Sequence, residues 1–363
     1  MITKNKDFIS ISICPICGSN RLYEIYTVND RLSEELLAKV CSEEERDFLS
    51  NISNRLVQCG NCEILFLSPR LTKESLVILY NLWYSYGYKQ IFDNNKLINL
   101  RINQFIKYHY RTIKKYFNSP GLLLDVGCGT GLFLNICKEE GWEVEGIELN
   151  DEVCKYVQDK FKIKVFNGDF LFYETSTRFN AITMFDFLEH VENPIENLIH
   201  AYNLLSDKGL IFIRVPNINS LQSIVMKRSW YGIISTHLYY FKPETLIKCL
   251  QKCGFEVMEV HAYNNTSFFE IPYRHFSYII NKIINKIINK ILLLLKNKFS
   301  TIASYINSKD NSSKKYKNSL SEIKVSQYMI GILMEYIDFL GGVIGKGNNL
   351  NVVAKKKQKS GLL

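Results

Sequence analysis

Between residues 120 and 263, short apolar runs alternate with stretches whose apolar positions recur every three or four residues. The run 122–126 (LLLDV) predicts a buried strand, and 131–140 a helix closed by Gly141. Residues 142–149 alternate as a second strand, followed by a helix over 151–161. Residues 162–166 and 179–185 read as strands three and four. A helix over 194–206 ends at Gly209, and 210–215 is a fifth strand stopped by Pro216. Pro243 opens a helix that runs to Cys253, Gly254 caps it, and 256–262 is the sixth strand. Strands that alternate with helices imply a mainly parallel sheet covered on both faces.

The rest of the chain divides by pattern. Residues 1–70 hold two Cys-x-x-Cys pairs, and 71–119 show Tyr, Leu and Lys at helical spacing, as in a cap. Residues 120–263 are the α/β core, 264–347 an insertion, and 348–363 a last strand with a basic tail. In the insertion, IINKIINKIINK repeats with period four, giving a lysine-studded helix with a broad isoleucine face. A polar stretch at 307–318 reads as a linker, and the apolar stretch 328–344 carries only Glu335 and Asp338 as charges. The run 350–354 (LNVVA) is taken as a seventh strand, antiparallel beside the sixth.

Composition adds little to the fold and something to the setting. Hydrophobic residues make up 47% and charged residues 22% of the 363, as in a globular protein with ample core. The net charge of +9 is concentrated in lysines at 282–298, 314–317 and 355–359. No apolar N-terminal run suits a signal peptide, and no uncharged apolar run of spanning length occurs, so a cytoplasmic chain is expected. Ten cysteines then point to free or metal-bound thiols rather than disulfides.

The chemistry concentrates in Leu124-Asp125-Val126-Gly127-Cys128-Gly129-Thr130-Gly131, a strand running into a glycine loop and then a helix. Glycines permit positive φ and close approach of the backbone, and the helix start offers unpaired N–H groups to a carboxylate. The spacing Gly-x-Gly-x-Gly differs from the Gly-x-Gly-x-x-Gly of dinucleotide folds. Asp125 is placed to order the loop or to meet an ammonium group. Glu148, seventeen residues after Gly131, ends the second strand, where it can accept from two ribose hydroxyls. Asp169 follows the third strand, where it can take an adenine amino group. Together these favour S-adenosylmethionine over NAD or a degenerate nucleotide site.

On these residues the segment 122–263 resembles class I S-adenosylmethionine-dependent methyltransferases. It is most similar to bacterial members with an N-terminal zinc-binding segment, often met in sugar or glycan biosynthesis. Leu188-Glu189-His190-Val191 and His237-Leu238-Tyr239-Tyr240-Phe241-Lys242-Pro243-Glu244 carry that similarity, and the insertion does not share it. The resemblance implies a Rossmann-like seven-stranded sheet of order 3-2-1-4-5-7-6. It implies donor contacts at Asp125, Gly127, Cys128, Gly129, Gly131, Glu148, Leu149, Asp169, Phe170 and Asp186.

Cys14-Pro15-Ile16-Cys17 and Cys59-Gly60-Asn61-Cys62 place two thiolates on each of two turns, the donor set of a closed structural zinc site. The gap between the pairs is long for a zinc ribbon and holds a predicted helix within 31–50. A redox Cys-x-x-Cys or buried core thiols are the alternatives, and Cys249 and Cys253 are read as core thiols.

For methyl transfer, a base is needed if the acceptor is a hydroxyl or an acidic carbon. Asp186, Glu189 and His190 after strand four are candidates: on a helical turn they share one face, where they would hold a divalent cation, as in the ubiquinone-pathway O-methyltransferases that the triplet resembles, or act as base and orienter, as in sugar C-methyltransferases. His237 is a second candidate base, and each of these can instead be a purely structural side chain. Tyr84, Tyr86 and Tyr88 are candidates to line a cap over the acceptor. The motifs of adenine-N6, glutamine and cytosine-C5 methylation are missing, so a small-molecule, sugar or glycan-linked acceptor methylated on oxygen or carbon is expected, and nucleic acid is not. The alternatives are an RNA methyltransferase gripping RNA through the zinc segment, and a non-catalytic S-adenosylmethionine-binding protein. Residues 271–300 hold six Lys or Arg and no acidic residue, which suggests peripheral membrane contact through 271–344; a helical lid or oligomer contact is the other reading.

Overall fold

The computed structural model describes residues 8–28, 54–80, 95–264 and 344–357, with Ile337 and Gly341. The helix expected within 31–50, Tyr84, Tyr86 and Tyr88, and nearly all of 271–344 lie outside the described residues. Thirteen strands are described. The N-terminal segment supplies β1 (Phe8–Ile9), β2 (Leu22–Val28), β3 (Asn54–Cys59), β4 (Leu65–Leu67) and β5 (Arg70–Leu71). The core supplies β6 (Leu122–Val126), β7 (Glu143–Glu148), β8 (Lys164–Asn167), β9 (Phe179–Phe185), β10 (Leu205–Pro216), β11 (Tyr239–Tyr240), β12 (Phe255–Tyr263) and β13 (Asn349–Lys356).

The main sheet has the order β8-β7-β6-β9-β10-β13-β12. Counting core strands from β6, with β12 sixth and β13 seventh, this is 3-2-1-4-5-7-6, as expected. β6 through β10 run parallel, and β13 inserts antiparallel between β10 and β12, with Val352 facing both Ile213 and Val260. The β-branched run 350–354 thus sits inside the sheet, between β10 and β12, rather than trailing from it.

Alternation along the strands sorts the core into two layers. Leu124, Val126, Ile182, Met184, Ile211, Ile213 and Val215 face one side, packed against the helices Pro194–Leu204 and Pro243–Lys252. Leu123, Ala181, Leu210 and Phe212 face the other, covered by the helices Arg111–Tyr116, Leu132–Glu139 and Asp151–Phe161. Helix starts follow local chemistry: Asn150 Oδ1 accepts from Val153 N, and Asn193 Oδ1 accepts from Glu196 N ahead of Pro194.

One boundary differs from expectation. The helix from Pro194 stops at Leu204, and β10 begins at once. Its register jumps, since Leu205 faces Phe179 while Leu210 faces Ala181. Gly209 permits the bulge, because a Cβ there would stand 2.7 Å from the Phe179 carbonyl oxygen.

The cysteine segment is built into the core. β2, β3 and β4 form a sheet completed by β11, in which Tyr239 faces Phe66 and Tyr240 faces Leu65. Leu67 N donates to Leu238 O at 3.0 Å. Trp230, Ile233 and Tyr240 pack on Leu56, Leu65 and Leu67.

Candidate functional site

The glycine loop turns at three positions with positive φ: Gly127 (76°), Gly129 (49°) and Gly131 (69°). A Cβ on Gly131 would lie 2.6 Å from Val157 Cγ1, and one on Gly127 3.0 Å from Phe187 Cδ2, so the backbone is both left-handed and closely approached. Gly127 N and Cys128 N both donate to Ile147 O at 2.9 Å, which pins the loop to the end of β7. The buried Glu148 carboxylate finishes the job. Its Oε2 accepts from Gly129 N at 3.1 Å, and its Oε1 accepts from Leu149 N at 2.8 Å and Asn150 N at 3.0 Å. Three strand ends therefore deliver the predicted loop, Glu148 and Asp169 to one edge of the sheet, where open α/β sheets take ligands.

The remaining donor-edge candidates divide by position. Leu149 is exposed beside Glu148, whereas Phe170 is in the core, edge-on to His200 at 4.7 Å. Cys128 is buried, and burial pushes its thiol up, so it is no nucleophile. Asp125 is buried and accepts from Thr183 Oγ1 at 2.6 Å; burial, aided by the Glu148 charge, raises its carboxyl to about 7. Asp169 Oδ1 accepts from Leu171 N at 3.1 Å, while Oδ2 accepts from Lys73 Nζ at 2.9 Å.

Asp186 does not join Glu189 and His190, and the expected Asp186, Glu189, His190 face is corrected. That grouping assumed a helical turn after strand four. Asp186 instead adopts φ 54°, a left-handed conformation that Asp tolerates, and its carboxylate pairs with Arg214 through both oxygens. Arg214 Nη1 in turn reaches His109 Nε2 at 3.0 Å, under the ring of Phe185.

Glu189 and His190 meet His237 instead. Among the described residues these three form one of two groups able to hold a metal ion, their ligand atoms lying within 4.8 Å of one another. His190 Nδ1 donates to Thr236 O at 2.8 Å, and His237 Nδ1 donates to Gly232 O at 2.8 Å. Each ring is thereby set as the Nδ1–H tautomer, with the Nε2 lone pair outward. The rings meet edge to face at 4.7 Å, and Tyr80 stands against His190 at 5.7 Å. Burial lowers His190 to about 4 and His237 to about 3, so both are neutral at pH 7. Glu189 is buried with neither carboxylate oxygen hydrogen-bonded, and burial raises it to about 8. Its Oε1 lies 3.9 Å from His190 Nε2. Such a cluster, two imidazole lone pairs beside a carboxyl, can take a hydroxyl proton or a cation.

The second metal-competent group is Cys14, Cys17, Cys59 and Cys62. Cys14 Sγ and Cys62 Sγ are 3.6 Å apart, and Cys17 Sγ and Cys59 Sγ 3.5 Å. A tetrahedral zinc thiolate with Zn–S of about 2.3 Å requires sulfur separations of about 3.8 Å, so the residues fit that ion. The hydrogen bond from Cys62 draws Cys14 down to about 5. Cys249 and Cys253 are buried in the core, as expected.

Lys73, Tyr80, His109, Thr183, Arg214 and Thr236 were not read from sequence. Arg214 alone left a signal there, as the one charge in the apolar run IFIRVP. Lys73, Tyr80 and His109 reach the site from segments distant along the chain, and Thr183 and Thr236 sit beside residues already singled out.

A family model described as "Methyltransferase domain" matches residues 101–260. A ubiquinone biosynthesis O-methyltransferase of Nitrosospira multiformis is 26% identical over 152 residues, covering 38% of this chain and 64% of that protein. One from Rickettsia bellii is 24% identical over 175 residues, covering 44% of this chain and 73% of that protein. A solved S-adenosylmethionine-dependent methyltransferase from Archaeoglobus fulgidus is 23% identical with a TM-score of 0.46, over 75% of this chain and 100% of that one. These relatives belong to ubiquinone biosynthesis, the pathway that the Asp186, Glu189 and His190 triplet resembles, and not to the glycan enzymes that the zinc-binding segment resembles. Residues 101–260 thus match a methyltransferase domain, and the strand order and glycine loop are those of the Rossmann-like methyltransferase fold.

Proposed function

We propose that the protein transfers a methyl group from S-adenosylmethionine to a hydroxyl oxygen of a small-molecule acceptor. The observation that supports it most directly is the pair of neutral imidazoles, His190 and His237, each with Nε2 unclaimed, a few residues on from Phe187, which lies against Gly127 of the glycine loop. The donor is assigned to Gly127, Gly129 and Gly131, with Glu148 for the ribose and Asp169 for the adenine amino group; Asp125 and Leu149 complete the contacts. When bound, it supplies an already activated methyl group, so what the chain must add is in-line placement and removal of one proton. In this reading the acceptor O–H points at an imidazole Nε2. The proton moves to that nitrogen as the oxygen becomes methylated.

A second reading is favoured by the same geometry: a divalent ion of the imidazole-preferring kind on Glu189, His190 and His237, which would acidify the hydroxyl by coordination. Structural zinc on Cys14, Cys17, Cys59 and Cys62 belongs to both readings. So do a cytoplasmic setting and contact of 271–344 with a membrane surface; among the described residues no helix is long and apolar enough to cross a membrane. Sugar and glycan-linked acceptors, and carbon as the methylated atom, form the comparison arms of the test.

That test is formation of S-adenosylhomocysteine with panels of phenolic, catecholic and sugar acceptors, before and after treatment with a chelator that leaves the thiolate metal in place. Turnover with hydroxyl acceptors is expected. Donor binding without turnover on any panel would leave a binding protein and remove the proposal. Loss of turnover on chelation, restored by added metal, would move the assignment to the cation reading.

A further inference from the structure

The helix at residues 73–80 belongs to neither metal group nor to the glycine loop, yet it touches both ends of the candidate site. Lys73 and Tyr80 are seven residues apart, two turns, and so lie on one face. Lys73 Nζ holds Asp169 Oδ2 at 2.9 Å, and the Tyr80 ring packs on His190 at 5.7 Å. Leu76 and Leu79 bury the inner face of this helix in the core, and Thr72 caps its start through a bond from Ser75 N.

The helix hangs from the thiolate cluster. It follows β5, whose Arg70 and Leu71 pair with Ile9 and Phe8. Just before β5, Ser68 Oγ accepts from Ile11 N at 2.8 Å and donates to Ile11 O at 2.9 Å. Ile11 lies three residues before Cys14, and β4 begins three residues after Cys62. Both cysteine pairs therefore feed, over a few residues, into the stretch that sets Lys73 on Asp169.

We infer that Lys73 is a positioning residue for the donor's adenine end, acting through Asp169, and that the thiolate cluster is the tether that keeps it there. The inference rests on the donor assignment above. The ammonium fixes one Asp169 oxygen while Leu171 N fixes the other, so the carboxylate keeps the rotamer in which it can also receive an adenine amino group. Loss of the tether frees the helix and relaxes that rotamer. The cluster thus bears on donor affinity although no thiolate touches the donor.

Calorimetric binding of S-adenosylhomocysteine, and of its inosine analogue, which lacks the adenine amino group, tests this on the full chain. For a half-exposed ion pair the expected loss in Lys73→Met is about threefold to fivefold in affinity for the adenosine ligand. The inosine ligand loses less, and Lys73→Arg restores both. Ser68→Ala, which opens the clamp without touching a thiol, is expected to weaken binding in the same sense. Combined with Lys73→Met, it adds little more. Wild-type affinity in Lys73→Met, or equal losses for the two ligands, overturns the positioning role. Losses that multiply in the double variant overturn the tether. If the wild-type chain binds neither ligand, the donor assignment itself fails, a result distinct from either of these.

Discussion

The donor edge and the acceptor cluster both follow the carboxyl ends of parallel strands, but they are finished in opposite ways. At the donor edge polar groups are spent on the chain itself: Glu148 accepts three backbone N–H groups, and Asp169 holds Leu171 N and Lys73. At the acceptor cluster both Glu189 oxygens are buried without a hydrogen-bond partner, and two imidazoles spend only one nitrogen each on the backbone. A buried unpaired polar group costs about 1–3 kcal/mol, and a charged one more. The first region is preorganised and nearly satisfied before a ligand arrives. The second carries a cost that an incoming hydroxyl or cation would relieve. Under the proposed function the donor edge would be a rigid seat, and the acceptor cluster the place where the proton is taken.

The first expected effect breaks the first region alone. Gly129 has φ 49°, and its N–H is held by Glu148. Gly129→Val puts a β-branched side chain on a left-handed position facing the ligand. Donor affinity measured by calorimetry should fall by on the order of 100-fold, about 2.7 kcal/mol. The metal content of the thiolate cluster should be unchanged. Unchanged affinity would remove the loop from the donor site.

The contrast also explains what could be read from the sequence. The glycine loop, Glu148 and Asp169 sit at strand ends within one run of βα units, so strand and turn signals alone place them on one edge. The β-branched run near 350 was readable for the same reason, since only a strand fits such a run between Gly347 and the basic tail. The acceptor cluster joins residues 189 and 190 to residue 237 through contacts of Thr236 and Gly232, which no periodicity encodes. Treating 186–190 as a helical turn put Asp186 with Glu189. The left-handed φ at Asp186 and the partner Arg214, both tertiary facts, moved it away. Lys73 was invisible because a surface lysine at a helix start has no pattern of its own.

The second expected effect breaks the other region and spares the first. His237→Ala removes one Nε2 and should lower kcat by roughly 100-fold to 10,000-fold, the usual range for a positioned base. Affinity for S-adenosylhomocysteine should stay within about twofold. His190→Ala should behave alike, because the two rings share Glu189 and pack on each other. Rescue of kcat by exogenous imidazole would favour the free-base reading. Rescue by a divalent metal would favour the cation. A parallel fall in donor affinity would show that the two regions are one site energetically and undo the contrast.

The smallest effect concerns Asp125, the buried carboxyl under the glycine loop, and it sharpens the claim that the donor edge is satisfied only in part. Burial raises this group from an ordinary value near 3.8 to about 7. In the folded chain it keeps its proton between those values, while the unfolded chain has lost it, so folding is linked to proton uptake there. Its contribution to stability is therefore full below pH 4 and is lost progressively as pH rises to about 7, with no further change above. Asn in its place still accepts from Thr183 Oγ1 and cannot titrate. Relative to Asp125→Asn, the melting temperature of the wild-type chain should decline by several degrees between pH 4 and 7 and then run parallel. A constant difference across that window would mean that Asp125 is ionised throughout, already paired in the manner of Glu148 and Asp169, and that the donor edge is saturated at every carboxylate.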